Sequence, residues 1–289
     1  MLAVLFAAFA HIGYGVGDVY GTFATRKLGP FIASFWITFF GVLLSAFGLV
    51  VFRDNLSDLD LNTVAVNTGL AVLLSLSYLS FLQALKIGNA PLVGTISGSF
   101  PAVSVIVAVI FFNERPSSIQ VATMLVIFIG IILSSLDIGD LRKQKTHLDR
   151  VILLSLFTML GWGIYFSVIR IPIEQYGWYL SHYIAIIVSA IIYYLLLLWK
   201  REPAIRGLLG KKGLKDTLST SILVNGGTFS FNYALSIGST SVVVPIAGSY
   251  PALFAFLSFK IFKEKLTSQQ IVGIVLTLVG VIALAVASA

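Results

Sequence analysis

Three groups of residues have the type and spacing to do chemistry inside an otherwise apolar sequence. The first is His11, Tyr14 and Asp18, which share one helical face of the opening apolar run. A carboxylate at membrane depth is expensive unless it is paired, protonated or wetted, so Asp18 is a functional candidate able to carry a coupling proton. Its competing role is a local ion pair with the basic end at Arg26-Lys27. The second group is a repeated break. Thr95-Ile96-Ser97-Gly98-Ser99-Phe100-Pro101 interrupts one apolar run, and Pro245-Ile246-Ala247-Gly248-Ser249-Tyr250-Pro251 interrupts another. Proline has no N–H to donate, so Pro101 frees the carbonyl of Ser97 and Pro251 frees that of Ala247. Ser97, Ser99 and Ser249 add hydroxyls at the same depth, and Gly98, Pro101, Gly248 and Pro251 are candidate hinges. The third group is aromatic and amide-rich. Trp162 matches Tyr14 at a spacing of 148; Asn225, Thr228 and Asn232 line one face of a later run; Ser75 and Tyr78 line the matching face of an earlier one. Aromatic walls with a few amides and hydroxyls suit a zwitterionic or neutral solute. The same residue types also pack membrane helices against one another, so that role stays open for each.

Other chemistries lack their residues. The absence of cysteine removes thiol catalysis and Cys-based metal sites. His147 is in a loop and His182 begins a different helix, so nothing supplies a metal constellation, and no nucleophile is paired with a base. No Gly-rich loop ends in Lys-Ser or Lys-Thr, so ATP does not drive the protein. Neither an enzyme nor a cofactor is expected.

The elements that must position these groups are membrane spans. Hydrophobic residues make up 58% and charged residues 11%, with a mean hydropathy of +0.98. A soluble domain carries about 25% charged residues, so this chain cannot cover a water-facing surface. A hydrocarbon core of about 30 Å takes ~20 helical residues to cross. Ten runs qualify: 2–24, 31–52, 62–85, 91–113, 118–136, 150–170, 178–199, 217–237, 241–262 and 267–287. The first is expected to be a span rather than a cleaved leader, since it lacks a basic start and carries His11 and Asp18. Gly13, Gly17 and Gly21 form a second face on it, a small-residue stripe for close helix contact.

The runs fall into two equivalent halves. Ala84–Val103 and Ala234–Leu253 repeat one block at a register of 150, matching Gly88 to Gly238, Gly98 to Gly248, Ser99 to Ser249 and Pro101 to Pro251. The register continues through Glu114 and Glu264 to Gly130 and Gly280. Five helices per half force the second half into the membrane inverted, giving repeats over 1–145 and 146–289. Of the 19 Lys and Arg residues, only Arg53, Arg115 and Arg170 fall on one side, leaving 19 − 3 = 16 on the other. Basic residues favour the cytoplasm, so the 137–149 and 200–216 loops are expected inside and both termini outside. The +7 net charge thus reads as topology and not as nucleic-acid binding. Glu114-Arg115 and Glu264-Lys265, at the membrane edge, are expected to cap helix ends, pair locally or set topology.

These features together resemble the EamA-type branch of the drug/metabolite transporter superfamily: the Ala-Leu-x-Ile-Gly turns, the Pro-containing helices, the Glu-Arg and Glu-Lys turns and the Gly-rich final helices. The resemblance implies an all-α membrane bundle of ten helices in two inverted five-helix repeats. It also implies a cavity between spans one, three, four and six, eight, nine, and rocking of the halves. Family members move amino acids, other metabolites, or aromatic and cationic compounds, often outward. The expected function is secondary transport or export of a small polar or amphipathic organic solute by alternating access, in the cell (inner) membrane. The expected partners are that solute, the lipid bilayer and a coupling proton. A flippase for a lipid-linked substrate and an uncoupled facilitator are the alternatives.

Overall fold

The computed structural model describes residues 1–87, 93, 96–135, 148–201, 211–262 and 267–288. Among these, all regular structure is helical. Span one is Leu2–Leu28, span two Pro30–Ala46 with a short continuation at Gly48–Val51, and span three Leu61–Ile87. Span four is Ile96–Phe111, broken before Phe100; span five is Ser118–Ser135; span six is Leu148–Val168. Span seven is Arg170–Lys200, span eight Lys211–Ile237, span nine Thr240–Gly248 with Tyr250–Phe262, and span ten Ser268–Ala287. Spans one, two, three, six, seven and ten are long and apolar enough by themselves to cross a membrane. Spans four, five and nine are apolar but shorter within the described residues. Span eight has the length, 27 residues, but is too polar to qualify alone. Its asparagines, serines and threonines need neighbouring helices to satisfy them.

One boundary differs from expectation. Span seven, Arg170–Lys200, is two helical stretches parted by the non-helical residues Tyr176 and Gly177, so its long stretch starts near 178 as expected, with Gly177 at φ 89°. A positive φ there suits a residue without a Cβ. Span eight begins at Lys211 and not near 217; a polar helical turn outside the hydrocarbon leaves no mark in hydropathy. The Gly88-Asn89 turn, Thr95, most of the two long polar loops and Glu264-Lys265 lie outside the described residues.

The repeat is visible as matched contacts. Span one packs on span eight, and span six packs on span three. A Cβ on Gly13 would meet Leu223 O at 2.8 Å and Gly227 Cα at 2.9 Å; a Cβ on Gly161 would collide with Ser77 Oγ. Residues 77 and 227 are themselves repeat partners. Gly17 and Gly21 continue the first seam against Val224 and Thr220, which fulfils the small-residue stripe. Spans five and ten form the other intimate pair, where Gly130 faces Thr277 and Gly280 faces Ile127. Burial follows the same symmetry: the pattern over 71–80 recurs residue by residue over 221–230.

Contacts also establish the alternation of direction. Gln120, at the start of span five, donates to Ala287 O and Ser288 Oγ at the end of span ten. Gln269, at the start of span ten, donates to Leu133 O at the end of span five. Ala3 lies against Gly238 in the turn between spans eight and nine. Both ends of the chain therefore share a face with that turn and with the end of span four. The cross-section is inside-out relative to a soluble protein. Asn67, Ser75, Ser97, Ser155, Thr158, Asn225 and Thr277 are buried, while Ile106, Ile110, Ile129, Ile191 and Ile282 are exposed. Lipid takes the outer surface, and helix–helix contacts take the polar groups.

Candidate transport site between the repeats

The two helix breaks are built alike. Ser99 has φ −80° and ψ 3°, and Ser249 has φ −79° and ψ 0°. Ser99 N–H donates to Ile96 O at 3.2 Å and Ser249 N–H to Ile246 O at 3.4 Å; Ala102 and Ala252 then donate back to Ser99 O and Ser249 O at 3.1 Å. Each break is thus one tight turn and not an unwound segment. Proline one residue into the following helix fits this, because that position needs no N–H. The breaks also touch across the repeats. A Cβ on Gly248 would stand 2.7 Å from Pro101 Cγ and 2.9 Å from Phe100 Cζ, and one on Gly98 would stand 3.9 Å from Pro251 Cγ. The candidate hinges are one of the places where the halves meet.

The polar face of span one looks towards span nine. His11 Nδ1 lies 2.9 Å from Ser249 Oγ, and both residues are buried. Ser249 Oγ donates its single hydrogen to Ile246 O at 2.6 Å. The Ser249 hydroxyl thus links the His11 ring to the backbone of span nine. Tyr14 donates to Thr228 Oγ1 at 3.2 Å, and its ring meets Tyr250 edge-on with centroids 5.6 Å apart. Gly15 lets Leu253 approach this helix. Asp18 is half-buried beyond them, within electrostatic reach of the Tyr78 and Tyr250 hydroxyls. Among the described residues no hydrogen bond or ion pair reaches its carboxylate. The nearby Lys27 is committed elsewhere, to Asp216 in span eight. A local Asp18–Lys27 pair is therefore not formed.

The remaining candidates divide by neighbour. Trp162 packs against Phe81 and Phe100, with centroids 5.3 and 5.9 Å away. Ser97 donates to Ser155 O in span six at 3.5 Å, and Ser99 is half-buried at its turn. Asn225 lies 2.9 Å from His182 Nε2 and also donates to Ser221 O. The Ser75 and Ser189 hydroxyls are hydrogen-bonded at 3.1 Å, and Asn232 donates to Trp178 O. These last three tie spans eight and three to span seven. His11, Tyr14, Asp18, Thr228 and Ser249 come together, joined by Tyr78 and by Tyr250, which had not been singled out. Its place before Pro251, matching Phe100 before Pro101, was the available signal.

A second polar cluster lies at the membrane edge. Glu114 accepts from Thr240 N–H at 2.7 Å and Ser241 N–H at 2.8 Å, capping the start of span nine. Arg170 Nη1 donates to the same carboxylate at 2.7 Å. Glu114 does cap a helix, but one in the other repeat.

Crossing helices in two inverted repeats, with a polar centre and an apolar exterior, define an integral multi-pass membrane protein. The chain belongs to the EamA-like transporter family, whose sequence pattern matches residues 1–136 and again residues 149–286. It is a membrane transporter. An uncharacterised protein of Methanocaldococcus jannaschii is 31% identical over 141 residues, which is 49% of this chain and all of that protein. A protein of known crystal structure, 14% identical, superposes with a TM-score of 0.80 over 99% of this chain and 97% of its own. That likeness bears on the fold alone.

Proposed function

We propose that this protein is a secondary transporter of a small polar or amphipathic organic solute, working by alternating access of its two repeats. The observation that carries the reading is the meeting of the matched breaks, Gly248 on Pro101 and Gly98 beside Pro251. Behind it sits a cluster of groups that helix packing does not use up. Among the described residues no hydrogen bond or ion pair reaches the Asp18 carboxylate, and His11 lies on the same helical face. An unpaired carboxylate among tyrosine hydroxyls supports a proton, or the ammonium group of the solute, as its ligand. The Tyr14, Tyr250, Trp162 and Phe100 rings supply apolar wall for an organic body. Purified protein in liposomes loaded with one amino acid or amine at a time tests this by counterflow. The expected result is saturable exchange of at least one such solute, lost in Asp18→Asn. Exchange that persists undiminished in Asp18→Asn and His11→Ala would place the solute elsewhere.

A further inference from the structure

We infer that Glu114 is a latch between the repeats, and that opening of this face passes the start of span nine from Glu114 to Ser239. Span four ends in a tight wrap: Asn113 takes φ 53°, and Glu114 N–H reaches back to Ala108 O at 3.2 Å. Asparagine tolerates that left-handed conformation, and the wrap is a common helix stop. It turns the Glu114 side chain across the gap, where its two oxygens take the Thr240 and Ser241 N–H groups. Arg170 is held for the same task by Glu174 at 2.6 Å and by the Phe112 ring at 5.7 Å.

Span nine has a cap of its own that it does not use. Ser239 stands at the N-cap position with extended dihedrals, yet its side chain makes no capping bond. Serine there ordinarily accepts from the first-turn N–H groups. Those groups have no acceptor within the helix, so they must keep one partner or find another. Two alternative caps on one helix start, one from each repeat, make a two-state element. The segment they hold, Thr240–Gly248, is buried along its whole length and ends at the Ser249 break. A recess of about 470 Å³, lined by Asn113, Glu114, Arg170, Ser236, Gly238 and Ser239, lies over the latch. Water can therefore reach it when the carboxylate lets go.

The natural sequence contains no cysteine, so paired labels can be placed cleanly. Nitroxides attached at Ser118→Cys and Ser236→Cys, both exposed and in different repeats, report the opening by pulsed dipolar spectroscopy in lipid nanodiscs. Glu114→Gln should raise the ratio of long to short distances by about tenfold, because a charged acceptor for two N–H groups is lost. Arg170→Gln should raise it less. Ser239→Ala should act in the opposite direction, narrowing the distribution towards the short distance. Unchanged distances in both Glu114→Gln and Arg170→Gln overturn the latch, as does broadening in Ser239→Ala. If Glu114→Gln yields no folded protein, the opposed responses of Arg170→Gln and Ser239→Ala decide the matter. The readout needs no identified solute, so it fails or holds separately from the transport reading.

Discussion

Pro101 and Gly248 are in contact across the two repeats, and a single methyl group placed on Gly248 would stand 2.7 Å from the proline ring. The reciprocal pair, Gly98 and Pro251, is looser: a Cβ on Gly98 would stand 3.9 Å from Pro251 Cγ and 3.7 Å from Ile131 Cγ2, ordinary van der Waals contact. The symmetry of the repeats is thus imperfect where they meet. Gly248→Ala should force Phe100 and Pro101 aside and cost about 1–3 kcal/mol. Gly98→Ala should be tolerated. Thermal unfolding of the two variants in detergent or nanodiscs checks this; equal effects would show that the close approach is not maintained.

His11 and Ser249 form a buried hydrogen-bonded pair, 2.9 Å apart. Removing either leaves the other without its partner, which costs about 1–3 kcal/mol. His11→Ala and Ser249→Ala should each lower stability, and the double variant should lose less than their sum. A double-mutant cycle measures the coupling. Additive losses would mean that the pair is not formed in the bilayer.

Asp18 should behave differently from Glu114. With no partner to abandon, Asp18→Asn should leave the melting temperature no lower than that of the natural protein. Solute exchange should fall or lose its dependence on a pH gradient. Unchanged pH dependence of uptake would remove Asp18 as the proton carrier.

Asp60 caps span three by accepting from the Asn62 and Thr63 N–H groups at 2.9 and 3.1 Å. Hydrogen bonds from Thr63, side chain first and then backbone, hold its carboxyl below the ordinary carboxylate value. A lowered folded value means that the stabilisation is present above the unfolded value and is lost as pH falls through the folded one. Asp60→Ala should therefore melt earlier than the natural protein at neutral pH. The difference should vanish in the acid range below the usual aspartate value of about 4. A difference that persists there would assign the effect to packing and not to the carboxylate.

The sequence by itself determined the membrane class, the spans and the inverted repeat. Hydrophobic length and the 150-residue register are properties of the chain taken in order. It also marked His11, Tyr14, Asp18 and the two breaks, because polar groups and prolines inside apolar runs stand out locally. Only the tertiary structure decided which of the polar residues face the centre. Asn225, Ser75 and Asn232 share hydrogen bonds with span seven, contacts that their type and helical face did not reveal, and Asn232 Oδ1 stays buried without a partner among the described residues. Span eight shows the same limit, since a helix too polar to cross alone is stabilised by partners distant in sequence. Glu114 is the plainest case. Its sequence neighbours place it at a turn, but its hydrogen-bond partners, Thr240 and Ser241, lie 126 and 127 residues away. A hydrogen bond depends on where two groups meet in space, and a hydropathy pattern contains no such information.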